Sequence, residues 1–191
     1  MSTSLYKEKG SKFLGHAIPV SSSQEAKIKI QELRDSHPKA VHVCFAWRFG
    51  SSKFEDRFSD DGEPNNSAGK PIFGQIIKAE LSNILIAVVR YYGGTNLGVG
   101  GLISAYKTAA EEAINAGEII ERHEEVELII RFSAEDTGAV MANINRSTAK
   151  VITHSADQKS HFIQIKIRKS LSQELTNNLD NSGKFDYETK E

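Results

Sequence analysis

Apolar and polar residues alternate over residues 40–49, with Val41, Val43, Phe45 and Trp47 on one face and Ala40, His42, Cys44 and Ala46 on the other. A two-residue period predicts a β-strand. The small apolar residues of the second face predict that this side is partly covered too. Residues 13–20 read as the first strand, residues 54–58 as a short one, and the continuous apolar run 84–89 as a buried one. Helical spacing appears in between. Ala26, Ile30 and Leu33 share a face from Glu25 to about Asp35, behind the capping serines Ser21, Ser22 and Ser23. Ile72, Phe73, Ile76 and Ile77 follow Pro71, which is placed for a first helical turn. Leu102, Ala105, Ala109, Ala113 and Ile114 mark a longer helix that ends at Ala116-Gly117.

After Arg122-His123 the pattern restarts. Residues 126–132 alternate as a strand, 134–144 are helical, 150–154 extended, 162–167 alternating, 170–179 helical and 184–189 a final strand. The order β-α-β-β-α-β is the ferredoxin-like arrangement. The chain is therefore an α+β protein with two domains, 1–122 and 123–191, and a boundary near residues 121–124.

Composition narrows the classes. The 191 residues are 39% hydrophobic and 26% charged with a net charge of −1, which excludes a strongly basic nucleic-acid binder but not a local basic face. No apolar run approaches the roughly 20 residues that span a bilayer. The first ten residues lack the apolar segment of a secretory signal, and the lone Cys44 has no internal disulfide partner. These features predict a cytoplasmic protein with no membrane association.

Two polar segments carry candidate chemistry. Residues 90–102 hold five of the fourteen glycines (Gly93, Gly94, Gly98, Gly100 and Gly101) between a predicted strand and a predicted helix. Free N–H groups at such a helix start make an anion seat, while the same glycines equally suit a tight turn with close helix–sheet packing. Arg90, Tyr91 and Tyr92 adjoin it, with chemistry for holding phosphate and stacking bases, though one tyrosine packed in the core and the other on the surface reads better. Residues 57–71 hold Asp60, Asp61 and Glu63. Three carboxylates so close suit a divalent cation, yet the calcium-loop spacing is absent and a solvated turn with Asp60 capping local N–H groups reads better. Ser67-Ala68-Gly69-Lys70 lacks the glycine spacing of a nucleotide-hydrolysing phosphate loop. His16 and His42 sit on predicted strands and are read as facing one groove, either as metal ligands or acid and base, or as hydrogen-bonded structural imidazoles. Cys44 reads as a buried apolar group.

Together these segments resemble the IMPACT/YigZ family, the UPF0029 group. The resemblance lies in residues 9–16, in His37-Pro38-Lys39-Ala40 with His42 and Cys44, in residues 57–71 and in residues 90–106. It implies an N-terminal domain of the left-handed βαβ superfamily, shared by domain IV of elongation factor G, a small-subunit ribosomal protein and the GHMP kinases. The second domain resembles domain V of elongation factor G. Eukaryotic relatives regulate translation through a further N-terminal domain outside this resemblance, so that partnership is not carried over. Where the family commonly reads Ser-Gly-Thr this chain has Asn65-Asn66-Ser67, and where it often has lysine this chain has Asn96. Asn66 can still take a left-handed conformation.

The expectation is a non-enzymatic, translation-associated binding protein whose partner is RNA or the ribosome, with no cofactor and no metal. Its surface would join Arg57, Asp60, Asp61, Glu63 and Lys70 to Arg90, Tyr92 and residues 93–101, with Arg57, Lys70 and Arg90 on phosphate. The alternative is an enzyme for a nucleotide or phosphorylated small molecule, with magnesium on the acidic residues. A third reading makes both segments purely architectural.

Overall fold

The computed structural model describes residues 1–51, 53–156, 161–183 and 185–190. The chain divides into two compact units, Met1–Ile119 and Ile120–Glu191. No helix among the described residues is long and apolar enough to cross a membrane.

The first unit contains β1 (Ser2–Glu8), β2 (Ser11–Pro19), α1 (Ser23–Ser36), β3 (His42–Phe49), β4 (Glu55–Ser59), α2 (Gly69–Lys78), β5 (Ile84–Tyr91) and α3 (Gly98–Asn115). The strands form one antiparallel sheet in the order β1-β2-β5-β3-β4. Each face buries its own core. Phe13, Cys44, Ala46, Ile86 and Val88 pack against α2 and α3, while Ile18, Val43, Phe45, Trp47 and Leu85 pack with Ala26 and Ile30 of α1. This double coverage explains the two apolar faces of β3. Ser22 caps α1 by accepting from the Glu25 N–H, and the Glu25 carboxylate reaches back to the Ser21 N–H and hydroxyl.

Strand β1 is an addition to the sequence reading, which starts its first strand at Phe13. Two of the residues that β1 turns toward α3 are serines. Ser2 and Ser4 hydroxyls donate to the Ala113 and Ala109 carbonyls of α3 at 2.6 and 2.7 Å. Hydrogen bonds replace part of the apolar packing here, so no hydrophobic alternation marks the strand. The β1–β2 turn places Lys9 and Gly10 at φ +44° and +81°, as a two-residue hairpin requires.

The second unit contains β6 (Glu125–Phe132), a 3₁₀ turn (Ala134–Asp136), α4 (Thr137–Arg146), β7 (Lys150–Ala156), β8 (His161–Arg168), α5 (Lys169–Asp180) and β9 (Asp186–Lys190). Its antiparallel sheet has the order β7-β8-β6-β9. Val126, Leu128 and Ile130 of β6 and Ile163, Ile165 and Ile167 of β8 share one core with Val140, Ile144, Leu175 and Leu179 of α4 and α5. Lys184, the first residue of the last predicted strand, lies outside the described residues.

Candidate functional site

The acidic segment after β4 turns inward. Asp60 Oδ1 accepts from the backbone N–H groups of Ala68 and Gly69 at 2.9 and 2.8 Å, and its Oδ2 from Asn66 at 2.8 Å. It thereby caps α2, whose N-cap Ala68 has no side chain for the task. Asn66 stands at φ +61°, the left-handed conformation foreseen for it. Asp61 accepts from the Val43 N–H and from the Arg34 guanidinium, both at 2.7 Å, while its carbonyl meets His42 Nδ1 at 2.7 Å.

Glu63 goes deepest. It is 7% exposed, forms an ion pair with Arg90, itself 6% exposed, and accepts from the Tyr106 hydroxyl at 2.7 Å. His42 Nε2 stands 3.9 Å away. Cys44 closes the group, its thiol donating to the Asp60 carbonyl at 3.0 Å. Burial pushes both the Cys44 thiol and the Tyr106 hydroxyl well above their ordinary values, so both stay protonated. The turn is therefore not simply solvated: Asp60 caps as anticipated, Asp61 is half-buried and Glu63 is buried. Among the described residues no three His, Cys, Asp or Glu side chains are set to hold a metal. The magnesium reading loses its ligands to protein donors.

The expected combined surface is not assembled as drawn. Arg90 pairs through Nη1 with Glu63 and is almost wholly buried, which takes it off the surface where phosphate would meet it. Arg57 pairs in register with Trp47, and its guanidinium lies 5.4 Å from the Trp47 ring, on the α1 side of the sheet. Arg90 faces the α2–α3 side, beside Phe13. Lys70 is exposed in the first turn of α2.

His16 and His42 also lie on opposite faces, which corrects their shared groove. His16 follows the parity of Ile18 and packs toward α1, its ring 6.0 Å from that of His37, whose Nδ1 meets the Tyr91 hydroxyl at 2.8 Å. Among the described residues neither buried His16 ring nitrogen has a hydrogen-bond partner, so the protein does not supply the bonds expected of a structural imidazole. Burial first, and then His37, lower its pKa below the ordinary 6.5. Protonation therefore favours the unfolded chain, and the stability this site contributes is lost as pH falls below 6.5 through the lower folded value. His16→Leu is expected to shrink the loss of thermal stability between about pH 7.5 and about pH 5. An unchanged pH dependence would show that His16 is not the group responsible.

The glycine-rich segment remains the open part. Gly93 is architectural: an added Cβ would sit 1.9 Å from the Gly10 carbonyl carbon, and its N–H donates to Ser11 Oγ at 3.1 Å. Gly94 and Gly98 take φ of +84° and +71°. Gly94, Gly98 and Gly100 are exposed with open space at the Cβ position, whereas Gly101 lies against Leu97. The N-cap of α3, Leu97, makes no side-chain cap, and among the described residues no side chain accepts from the first N–H groups of the helix. Exposed Tyr92 sits 5.6 Å from the Arg90 guanidinium and donates to Asn96 Oδ1 at 3.2 Å. Sequence reasoning missed the roles of Arg34, His37 and Tyr106, because each acts through a partner distant along the chain.

These features define a two-unit α+β protein whose first unit is organised around a buried acidic–basic core beside an open glycine-rich helix start. The Impact N-terminal domain matches residues 9–114, and the chain belongs to the IMPACT family. It is 38% identical over 112 residues to IMPACT family member YvyE of Bacillus subtilis, covering 59% of this chain and 52% of that protein. It is 39% identical over 108 residues to IMPACT family member YigZ of Escherichia coli, covering 56% and 53%. The match thus spans about half the length of these relatives. A solved structure titled only as a hypothetical protein is 26% identical, covers 100% of this chain and 94% of its own, and superposes with a TM-score of 0.68.

Proposed function

We propose that this chain is a cytoplasmic, translation-associated regulatory protein that contacts RNA or the ribosome through Tyr92 and the exposed glycines before and within the first turn of α3. The observation that carries the reading is that uncapped helix start. It presents backbone N–H groups and the positive end of an 18-residue helix to solvent, beside an exposed tyrosine. Family membership supports the connection with translation, through the resemblance of both domains to elongation factor G. In this reading residues 1–122 form a left-handed βαβ domain and residues 123–191 a ferredoxin-like one. The order β6-α4-β7-β8-α5-β9 with sheet order β7-β8-β6-β9 supports the latter. Lys70, exposed in the first turn of α2 on the α2–α3 side, supplies salt-dependent contacts outside the seat, whereas Arg57 lies on the opposite face.

Gly100→Asp tests the seat, because Gly100 has free space and an ordinary φ. A carboxylate in the first turn stabilises a helix but repels phosphate. The expected result is an unchanged or raised melting temperature with an affinity for single-stranded RNA about tenfold weaker or more, read by fluorescence anisotropy at low salt. RNA binding that survives the substitution, or is absent from the parent protein, would overturn the proposal.

A further inference from the structure

Outside that site, the second unit carries a groove of about 470 Å³ between α4 and α5. Leu171 and Leu175 contribute its apolar lining, and Asn143, Arg146, Asn178, Asn181, Thr148 and Glu174 supply polar groups. Asn143 Nδ2 donates to the Ala139 carbonyl and to Ser182 Oγ, at 3.0 and 3.1 Å, which ties the wall of α4 to the end of α5 and leaves Oδ1 as an acceptor. Among the described residues, the side chains of Arg146, Glu174, Asn178 and Asn181 make no hydrogen bond or ion pair with the protein, and all four are exposed.

We infer that this groove binds a short extended peptide. Each asparagine offers one carbonyl acceptor and an amide with two donors, the complement of a peptide group's N–H and C=O. Glu174, Asn178 and Asn181 recur at helical spacing and so line one side of α5. The lining runs from Leu171 to Ser182, about 16 Å at the helical rise, which accommodates about five residues of extended chain. Arg146 takes a carboxylate of the peptide and Glu174 a cation, so the groove selects a segment of mixed charge. RNA fits less well. Among the described residues that line it, the two formal charges cancel, leaving no excess to draw phosphates, and none is an aromatic ring for a base to stack on.

The experiment titrates ¹⁵N-labelled full-length protein with the peptide Ac-Glu-Thr-Val-Thr-Lys-NH₂, and separately with oligouridylate. Because the asparagines read the peptide backbone and only the charged ends are selected, this probe is a sufficient test. The expected result is a saturable shift of the Asn178 and Asn181 side-chain amide resonances with the peptide. Asn178→Ala with Asn181→Ala should weaken binding about tenfold while the remaining backbone resonances stay in place. No saturable shift, a peptide affinity unmoved by the double substitution, or an oligouridylate response at this groove equal to or stronger than the peptide's would overturn the inference. The readout is confined to the second unit, so it stands or falls separately from the RNA proposal for α3.

Discussion

Arg90→Ala is expected to destabilise the protein by about 3–5 kcal/mol, read as a lower urea midpoint, because it strands a buried carboxylate. Glu63 and Arg90 are both nearly inaccessible, and among the described residues Glu63 has only the Tyr106 hydroxyl and a more distant imidazole to replace the lost cation. The loss measures the cost of an uncompensated charge, not the net value of the pair. The companion double variant, Arg90→Met with Glu63→Gln, removes both charges while leaving an acceptor for Tyr106. It should recover more than half of the loss. A single substitution costing no more than an exposed one, within about 0.5 kcal/mol, would show that water reaches Glu63 and that the pair does not hold the fold.

Asp60→Ala is the second large effect, expected at about 3 kcal/mol by chemical denaturation. Three backbone N–H groups lose their acceptor at once, two of them in residues whose burial leaves water little access. Asp60→Asn should cost clearly less, since an amide oxygen can keep the two bonds to Ala68 and Gly69 while only the contact to Asn66 is lost. Equal losses for alanine and asparagine would mean that charge, rather than hydrogen-bond geometry, does the capping.

How much of this was legible in the chain follows from how each feature is built. β3 was readable because its two faces carry apolar residues for two separate cores, and β6 and β8 because each turns one face inward. β1 was not, because Ser2 and Ser4 bind α3 through hydroxyls, and a serine has no periodic signature. The Asp60 cap was readable because its recipients lie only six to nine residues ahead. The partners of Glu63 lie 27 and 43 residues away, so its burial could not be distinguished from a solvated turn. The histidines failed for a different reason. His16 and His42 were each placed on the correct strand, but which face each strand turns to which helix is decided only when the sheet is assembled.

The segment between β4 and α2 has a consequence for whatever meets it. Asp60, Asp61 and Glu63 bind backbone or side chains of α2, β3, α1, β5 and α3, so five elements share its anchors. A loop fastened at so many points has little conformational freedom left to surrender. A partner reading its outer side, Asn65, Asn66 and Lys70, meets a surface already in its bound shape and bears little ordering cost there. Any recognition at this edge would therefore be governed by fit between preformed surfaces, with the adjustment falling on the partner.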